Sequence, residues 1–157
     1  MKKLNFILLL LILFSWHTYA QNEIASNSDY LKDIKVELTK KWPNNRTINL
    51  VFHGHSVPAG YFKTPIVNPL ESYPFLVLQT IKQHYPFAVV NMINTSIGGE
   101  NSVSGAERFE PEVLIHNPDV LFLDYALNDT GIGLEKSYEA WNNMIQKALK
   151  RNIKIIL

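Results

Sequence analysis

Apolar residues recur along this chain in two rhythms. Four runs, Thr47–His53, Phe87–Ile93, Val120–Leu127 and Ile153–Leu157, are short, nearly continuous and rich in β-branched residues. Strands buried on both faces have that composition. Between the runs lie longer segments whose apolar positions return every three or four residues. Ser72 to about Tyr85 reads as a helix capped by Ser72, with Pro74 in its first turn and Leu78, Ile81 and Tyr85 facing the core. Glu100–Phe109 and Pro111–Ile115 read as a helix broken at Pro111, because a proline cannot continue one. Leu134–Arg151 is the longest helical pattern, with Ala140, Met144, Ala148 and Leu149 near one face. Leu31–Trp42 fits either a helix, with Leu31, Ile34 and Leu38 on one side, or a charged tether. Val57–Pro74 carries Pro58, Pro65, Pro69 and Pro74 and reads mostly as a loop. Loops of that length inside compact domains often serve function.

Strands alternating with helices imply βαβ crossovers, hence an α/β fold with a doubly wound parallel sheet covered by helices on both sides. In such sheets ligands sit beyond the carboxyl ends of the strands. Three short segments fall there: Phe52-His53-Gly54-His55-Ser56, Asn94-Thr95-Ser96-Ile97-Gly98-Gly99 and Tyr125-Ala126-Leu127-Asn128-Asp129.

The first 20 residues follow another pattern. Lys2 and Lys3 precede an apolar stretch from Phe6 to Trp16, and Thr18-Tyr19-Ala20 closes it. This reads as a secretory signal peptide cut after Ala20; the stretch is shorter than the roughly 20 residues of a membrane span. The organisation expected is therefore signal peptide 1–20, a leader with a possible helix over 21–46, and the α/β domain over 47–157, in a secreted or periplasmic protein. The signal peptide takes two lysines and no acid, so the chain's 15 basic and 14 acidic residues become 13 and 14. That near-neutral balance makes no electrostatic case for nucleic acid. With no cysteine in the chain, disulfides, thiol nucleophiles and cysteine metal sites are excluded.

Ser56 is the candidate nucleophile, because it follows a strand and a glycine, where the backbone turns sharply and exposes a hydroxyl; it needs a base to take its proton. Pro58 stands where a Gly-x-Ser-x-Gly elbow would have its second glycine. Gly99 lets its backbone N–H approach a developing oxyanion, or simply makes a tight turn. The Asn128 amide is a second candidate donor, or an Asx turn or cap. Two histidines on one strand, His53 and His55, can share a metal, but they lack the further ligands a zinc site needs. No metal or cofactor is expected.

As a set, the three segments resemble blocks I, II and III of the SGNH, or GDSL, hydrolase superfamily. Gly54-His55-Ser56 stands for that family's Gly-Asp-Ser, Asn94–Gly99 for block II, and Ala126-Leu127-Asn128-Asp129 for Gly-x-Asn-Asp. The resemblance covers about residues 47–157. It implies a three-layer flavodoxin-like fold and metal-free ester hydrolysis through an acyl-enzyme. Ser56 would be nucleophile and first oxyanion donor, Gly99 the second donor and the Asn128 side chain the third. The implied partner is a small ester or acylated glycan, and Tyr61, Phe62 and Tyr73 either wall an acyl pocket or pack as ordinary loop residues.

Two residues depart from the pattern, His55 for aspartate and Ala126 for glycine. The family's Asp-x-x-His, which supplies base and orienting acid, does not occur in these 157 residues. His55 is expected to point away from Ser56, since neighbouring strand residues face opposite ways. His53 is expected to be a packed core residue, and His84 and His116 to lie on helix ends. The reading is an exported SGNH-type esterase whose last strand and helix are missing from this stretch, which alone would be inactive. The alternatives are a non-catalytic ligand- or glycan-binding module on the same fold, and a nucleotide-binding protein; the latter wants a glycine-rich phosphate loop after the first strand. If the signal peptide is cleaved as expected, mass spectrometry of exported protein will find Gln21 as the mature N-terminus; an intact Met1 end in exported material would contradict the assignment.

Overall fold

The computed structural model describes residue 26 and residues 28–157, so the proposed signal peptide lies outside the described residues. In chain order the elements are α1 (Lys32–Thr39), β1 (Thr47–Gly54), α2 (Ser56–Ala59), β2 (Tyr61–Lys63), β3 (Ile66–Val67), α3 (Tyr73–His84), β4 (Val89–Asn94), α4 (Ser102–Glu107), α5 (Phe109–Glu112), β5 (Val120–Asp124), α6 (Leu134–Leu149) and β6 (Lys154–Ile156). Among the described residues, no helix is long and apolar enough to cross a membrane.

The main sheet has the order β4-β1-β5-β6 and is parallel throughout. β1 is buried on both faces, which is why its sequence shows no polar alternation. Period-two geometry still sorts its side chains. Ile48, Leu50 and Phe52 pack with Val120 against α1 and α3, joined by Val77, Ile81 and Tyr85. Val51 packs with Leu121, Leu123 and Tyr125 against Phe109, Met144 and Ala148 on the other side. The result is a three-layer α/β/α sandwich with two cores divided by one sheet.

Several sequence expectations shift in detail. The third strand stops at Asp124, and Tyr125–Leu127 leave the ladder. The break after block II falls at Arg108, between α4 and α5; Pro111 is accommodated in the first turn of α5, where its missing N–H costs nothing. Ser72 stands at the N-cap of α3, but its hydroxyl donates to Pro69 O at 2.7 Å instead of capping the helix. Leu78 is only half-buried. Leu149 is 49% exposed, because α6 turns Ala140, Met144 and Ala148 inward instead. The Val57–Pro74 segment is more ordered than its prolines suggest: it contains α2, the antiparallel β2–β3 hairpin and a 3-10 turn at Pro69–Glu71. Gly60 makes the hairpin start possible. Its φ is 96°, and a Cβ there would lie 2.8 Å from the Asn68 backbone.

Chain order reverses between β1 and β5, since β4 lies on one side of β1 and β5 and β6 on the other. The two strands approach closely at their carboxyl ends. A Cβ on Gly54 would stand 2.5 Å from Asp124 O and 2.9 Å from Pro58 Cγ. Gly54→Ala is therefore expected to cost about 2 kcal/mol, as overpacking against backbone does. Gly131→Ala, where a Cβ meets nothing within 4 Å, should stay within about 0.5 kcal/mol. Urea denaturation of the two variants checks the contrast.

Candidate active site

All three sequence segments end up at the carboxyl edge of the sheet. β1 ends at Gly54, His55 caps α2, and Ser56 is the first residue of that short helix. The block II loop follows β4, and Asn128 lies in a 3-10 turn after β5. Backbone and side-chain hydrogen bonds tie the three together. Ile97 N–H donates to Gly54 O at 3.0 Å. Asn94 Nδ2 donates to Pro58 O at 2.6 Å, linking block II to the turn that carries Ser56. Asn128 Nδ2 donates to Glu100 O at 2.9 Å, linking block III to block II. One of the two Asn128 amide hydrogens is thus committed, and the other has no partner among the described residues. Gly99 has φ 83° and open space where a Cβ would be, so its glycine is demanded by backbone conformation and not by crowding.

His55 differs from expectation. It lies past the end of β1, so strand alternation does not govern it. Its Nδ1 stands 3.3 Å from Ser56 Oγ and accepts from Val57 N–H at 3.3 Å. Its Nε2 lies 3.2 Å from Asp124 Oδ1, while its backbone N–H donates to Asp124 O at 3.0 Å. A carboxylate only accepts, so Nε2 carries the hydrogen and Nδ1 the lone pair. Asp124 was missed by sequence reasoning; it is one residue upstream of the third segment, and only the β1–β5 register reveals it. On its far side Asp124 meets the Tyr73 hydroxyl. Burial first, then the Asp124 carboxylate, pushes the Tyr73 pKa up. Tyr73, Asp124, Ala126 and Trp141 line an open cavity of about 460 Å³. Tyr61 stands elsewhere, its ring against Gly98, where a Cβ would come within 2.7 Å of it, and Phe62 is exposed.

Beneath the block II loop lies a buried polar network. The Glu100 side chain is 7% exposed. Arg108 grips it with two N–H groups, Nε to Oε1 at 2.7 Å and Nη2 to Oε2 at 2.5 Å. Arg108 also donates to Thr95 O and to Glu112. The Tyr125 hydroxyl donates to Glu100 Oε2 at 2.8 Å and lies 3.0 Å from His53 Nε2. His53, fully buried as expected, completes its bonding with Gly105 O at 3.1 Å and the Thr95 hydroxyl at 2.9 Å. Burial works against the Glu100 carboxylate, but the bonds from Arg108 and Tyr125 and the Arg108 charge still hold its pKa below the ordinary range. Asp129 is a second buried acceptor. It takes the Ser102 N–H, the Ser137 hydroxyl and the Trp141 indole N–H at 2.7–2.8 Å, pinning the block III turn to α4 and α6.

No protein-family model matches this chain, and no curated protein does either. Solved structures do. A two-domain esterase (CEX) active on acetylated mannans superposes with a TM-score of 0.69 at 24% identity, over 80% of this chain and 32% of that one. An SGNH-hydrolase family esterase gives 0.58 at 22% identity, over 71% of this chain and 58% of the other. An acetyl xylan esterase from Geobacillus stearothermophilus gives 0.60 at 20% identity, over 70% and 58%. The chain has the SGNH/GDSL hydrolase fold. It spans about a third of the length of the two-domain esterase.

The buried network makes stability pH-dependent. Desolvation lowers the His53 pKa from 6.5 to about 4. Between those values the unfolded chain binds a proton that the folded chain refuses. Stability is therefore full above pH 6.5 and falls as the pH drops, by about 3 kcal/mol near pH 4. The depressed Glu100 pKa acts in the same direction at still lower pH. Denaturation midpoints at pH 7, 5.5 and 4.5 should show the decline, and His53→Gln should flatten it; a wild-type profile level across that range would contradict the assignment.

Proposed function

We propose that the protein is an exported serine esterase of SGNH type that removes an acyl group, such as acetyl, from a small ester or acylated glycan through an acyl-enzyme. The observation that carries this reading is the tying of the Ser56, Gly99 and Asn128 loops to one another at the carboxyl edge of the sheet, through Ile97 N–H to Gly54 O, Asn94 to Pro58 O and Asn128 to Glu100 O. In this reading Ser56 Oγ attacks the acyl carbon. The developing oxyanion is met by the backbone N–H of Ser56, the backbone N–H of Gly99 and the free hydrogen of the Asn128 amide. The neighbours active on acetylated mannan and the acetyl xylan esterase support an acylated glycan as substrate class. The signal-peptide pattern read in the sequence of residues 1–20 supports action outside the cytoplasm.

His55 has a holding role. Its Nδ1 lone pair already receives the Val57 N–H, and the residue is 1% exposed, so a leaving alcohol has no route to it. The proton acceptor for Ser56 is then an Asp-x-x-His of the family type, which these 157 residues do not contain. This stretch alone is accordingly inactive as an esterase, with Ser56 still open to reactive acyl mimics.

A fluorophosphonate tests the assignment directly. Oγ bonds to phosphorus, fluoride leaves, the proton passes to solvent, and the phosphonyl oxygen gathers charge where an ester oxyanion would. Mass gain is expected on the Ser56 peptide alone and should vanish in Ser56→Ala. Asn128→Ala should slow labelling by about 10²–10³-fold, the usual loss for one oxyanion donor. Unchanged labelling of Ser56→Ala would remove Ser56 as the nucleophile.

A further inference from the structure

The oxyanion donors proposed for this site sit on loops, and loops position side chains poorly unless something fixes them. Glu100 is what fixes these. It follows Gly99 directly, and it is held at both of its ends. Its side chain is clamped by Arg108 Nε and Nη2 and by the Tyr125 hydroxyl. Its backbone N–H donates to Ile97 O at 3.2 Å, closing the turn that holds Gly99 at φ 83°. Its backbone carbonyl receives Asn128 Nδ2. One residue therefore sets the plane of the Gly99 peptide on one side and the orientation of the Asn128 amide on the other.

The clamp is itself braced from three directions. Arg108, at the junction of α4 and α5, also bonds Thr95 O at the root of the block II loop and Glu112 one turn on. Tyr125 comes off the end of β5 and bridges to His53 of β1, whose other partners are the Thr95 hydroxyl and Gly105 O of α4. Gly105 has no room for a side chain, because a Cβ would run into the Tyr125 ring and hydroxyl. Every group in the network other than Glu112 is buried or half-buried, so none rotates without leaving a polar atom unpaired.

We propose that Glu100, through its clamp by Arg108 and Tyr125, is the positioning residue of the oxyanion hole, fixing the Gly99 N–H and the Asn128 amide in the geometry that receives charge. The inference rests on Ser56, Gly99 and Asn128 being the reacting set. Glu100 touches no substrate and acts through its neighbours. That separates it from a residue that merely stabilises the fold: its effect on reactivity must pass through Asn128 and Gly99.

The test is a double-mutant cycle read by fluorophosphonate labelling of Ser56. Glu100→Gln keeps the shape and loses the charge that both Arg108 contacts and the Tyr125 donor require. It is expected to slow labelling about tenfold in the wild-type background and by a clearly smaller factor in the Asn128→Ala background, where only the Gly99 N–H remains to be misplaced. Equal factors in both backgrounds, or a wild-type rate for Glu100→Gln, would overturn the proposal. Should Glu100→Gln fail to fold, Tyr125→Phe removes one clamp bond with little change of volume and takes its place in the same cycle. A second readout needs no reactivity. NMR order parameters of the Gly99 amide and the Asn128 side-chain amide should match the rigid core in wild type and fall in the clamp variant, with those of β1 unchanged. Mobile donors in wild type would also overturn it. If wild-type Ser56 takes no label at all, Ser56 is not a reactive hydroxyl in this chain, and the order parameters alone decide the clamp.

Discussion

One charge taken out of water organises the carboxyl edge of this sheet. Glu100 cannot stay ionised in its buried position without compensation, and the cost of an unpaired carboxylate there is several kcal/mol. Arg108 supplies the opposite charge in a two-bond fork, which fixes direction as well as distance. Tyr125 adds a third bond and carries the network across to His53. Satisfying this one group ties the loop between β4 and α4 to the residue that follows β5. It also sets which way the loop between β4 and α4 must run.

The second buried carboxylate, Asp129, does the same work for the outer helices. Its three donors come from the N-terminus of α4 and from two turns of α6. Burial disfavours its charge, and those donors hold its pKa low regardless. Block III thus combines two neighbouring residues with different tasks. Asn128 faces the block II loop, and Asp129 faces inward and anchors the turn from below. The apolar cores on the two faces of the sheet supply bulk stability. The two carboxylates supply the fixed angles.

Much of this was legible from the sequence. The four strands announce themselves because both of their faces are buried, so their composition is apolar without alternation. The three strand-end segments are legible because glycines, asparagines and a serine cluster where a strand must hand over to a loop. What stayed hidden depends on contacts between distant residues. His55 was expected to point away from Ser56 by strand alternation, but the strand had already ended at Gly54. Asp124 looks like the last polar residue of an apolar run until β1 and β5 are set in register. The hairpin at Tyr61–Val67 was concealed by prolines, which mark turns but do not say what the turns connect. Tyr125 and Glu100 are 25 positions apart, and no local pattern joins them.

The double link between His55 and Asp124 bears on the order in which the molecule can assemble. β1, α3 and β4 follow one another with only α2 and the β2–β3 hairpin between, and their pairing asks for a shorter loop closure. The turn that carries Ser56 is different, because its backbone and side-chain bonds both end on a residue that the ribosome delivers 69 positions later. A chain that has folded its first βαβ unit holds the serine without its holder. Contacts of such sequence separation carry the larger loop-closure cost, so the turn bearing Ser56 gains its two bonds to Asp124 only once β5 has docked beside β1.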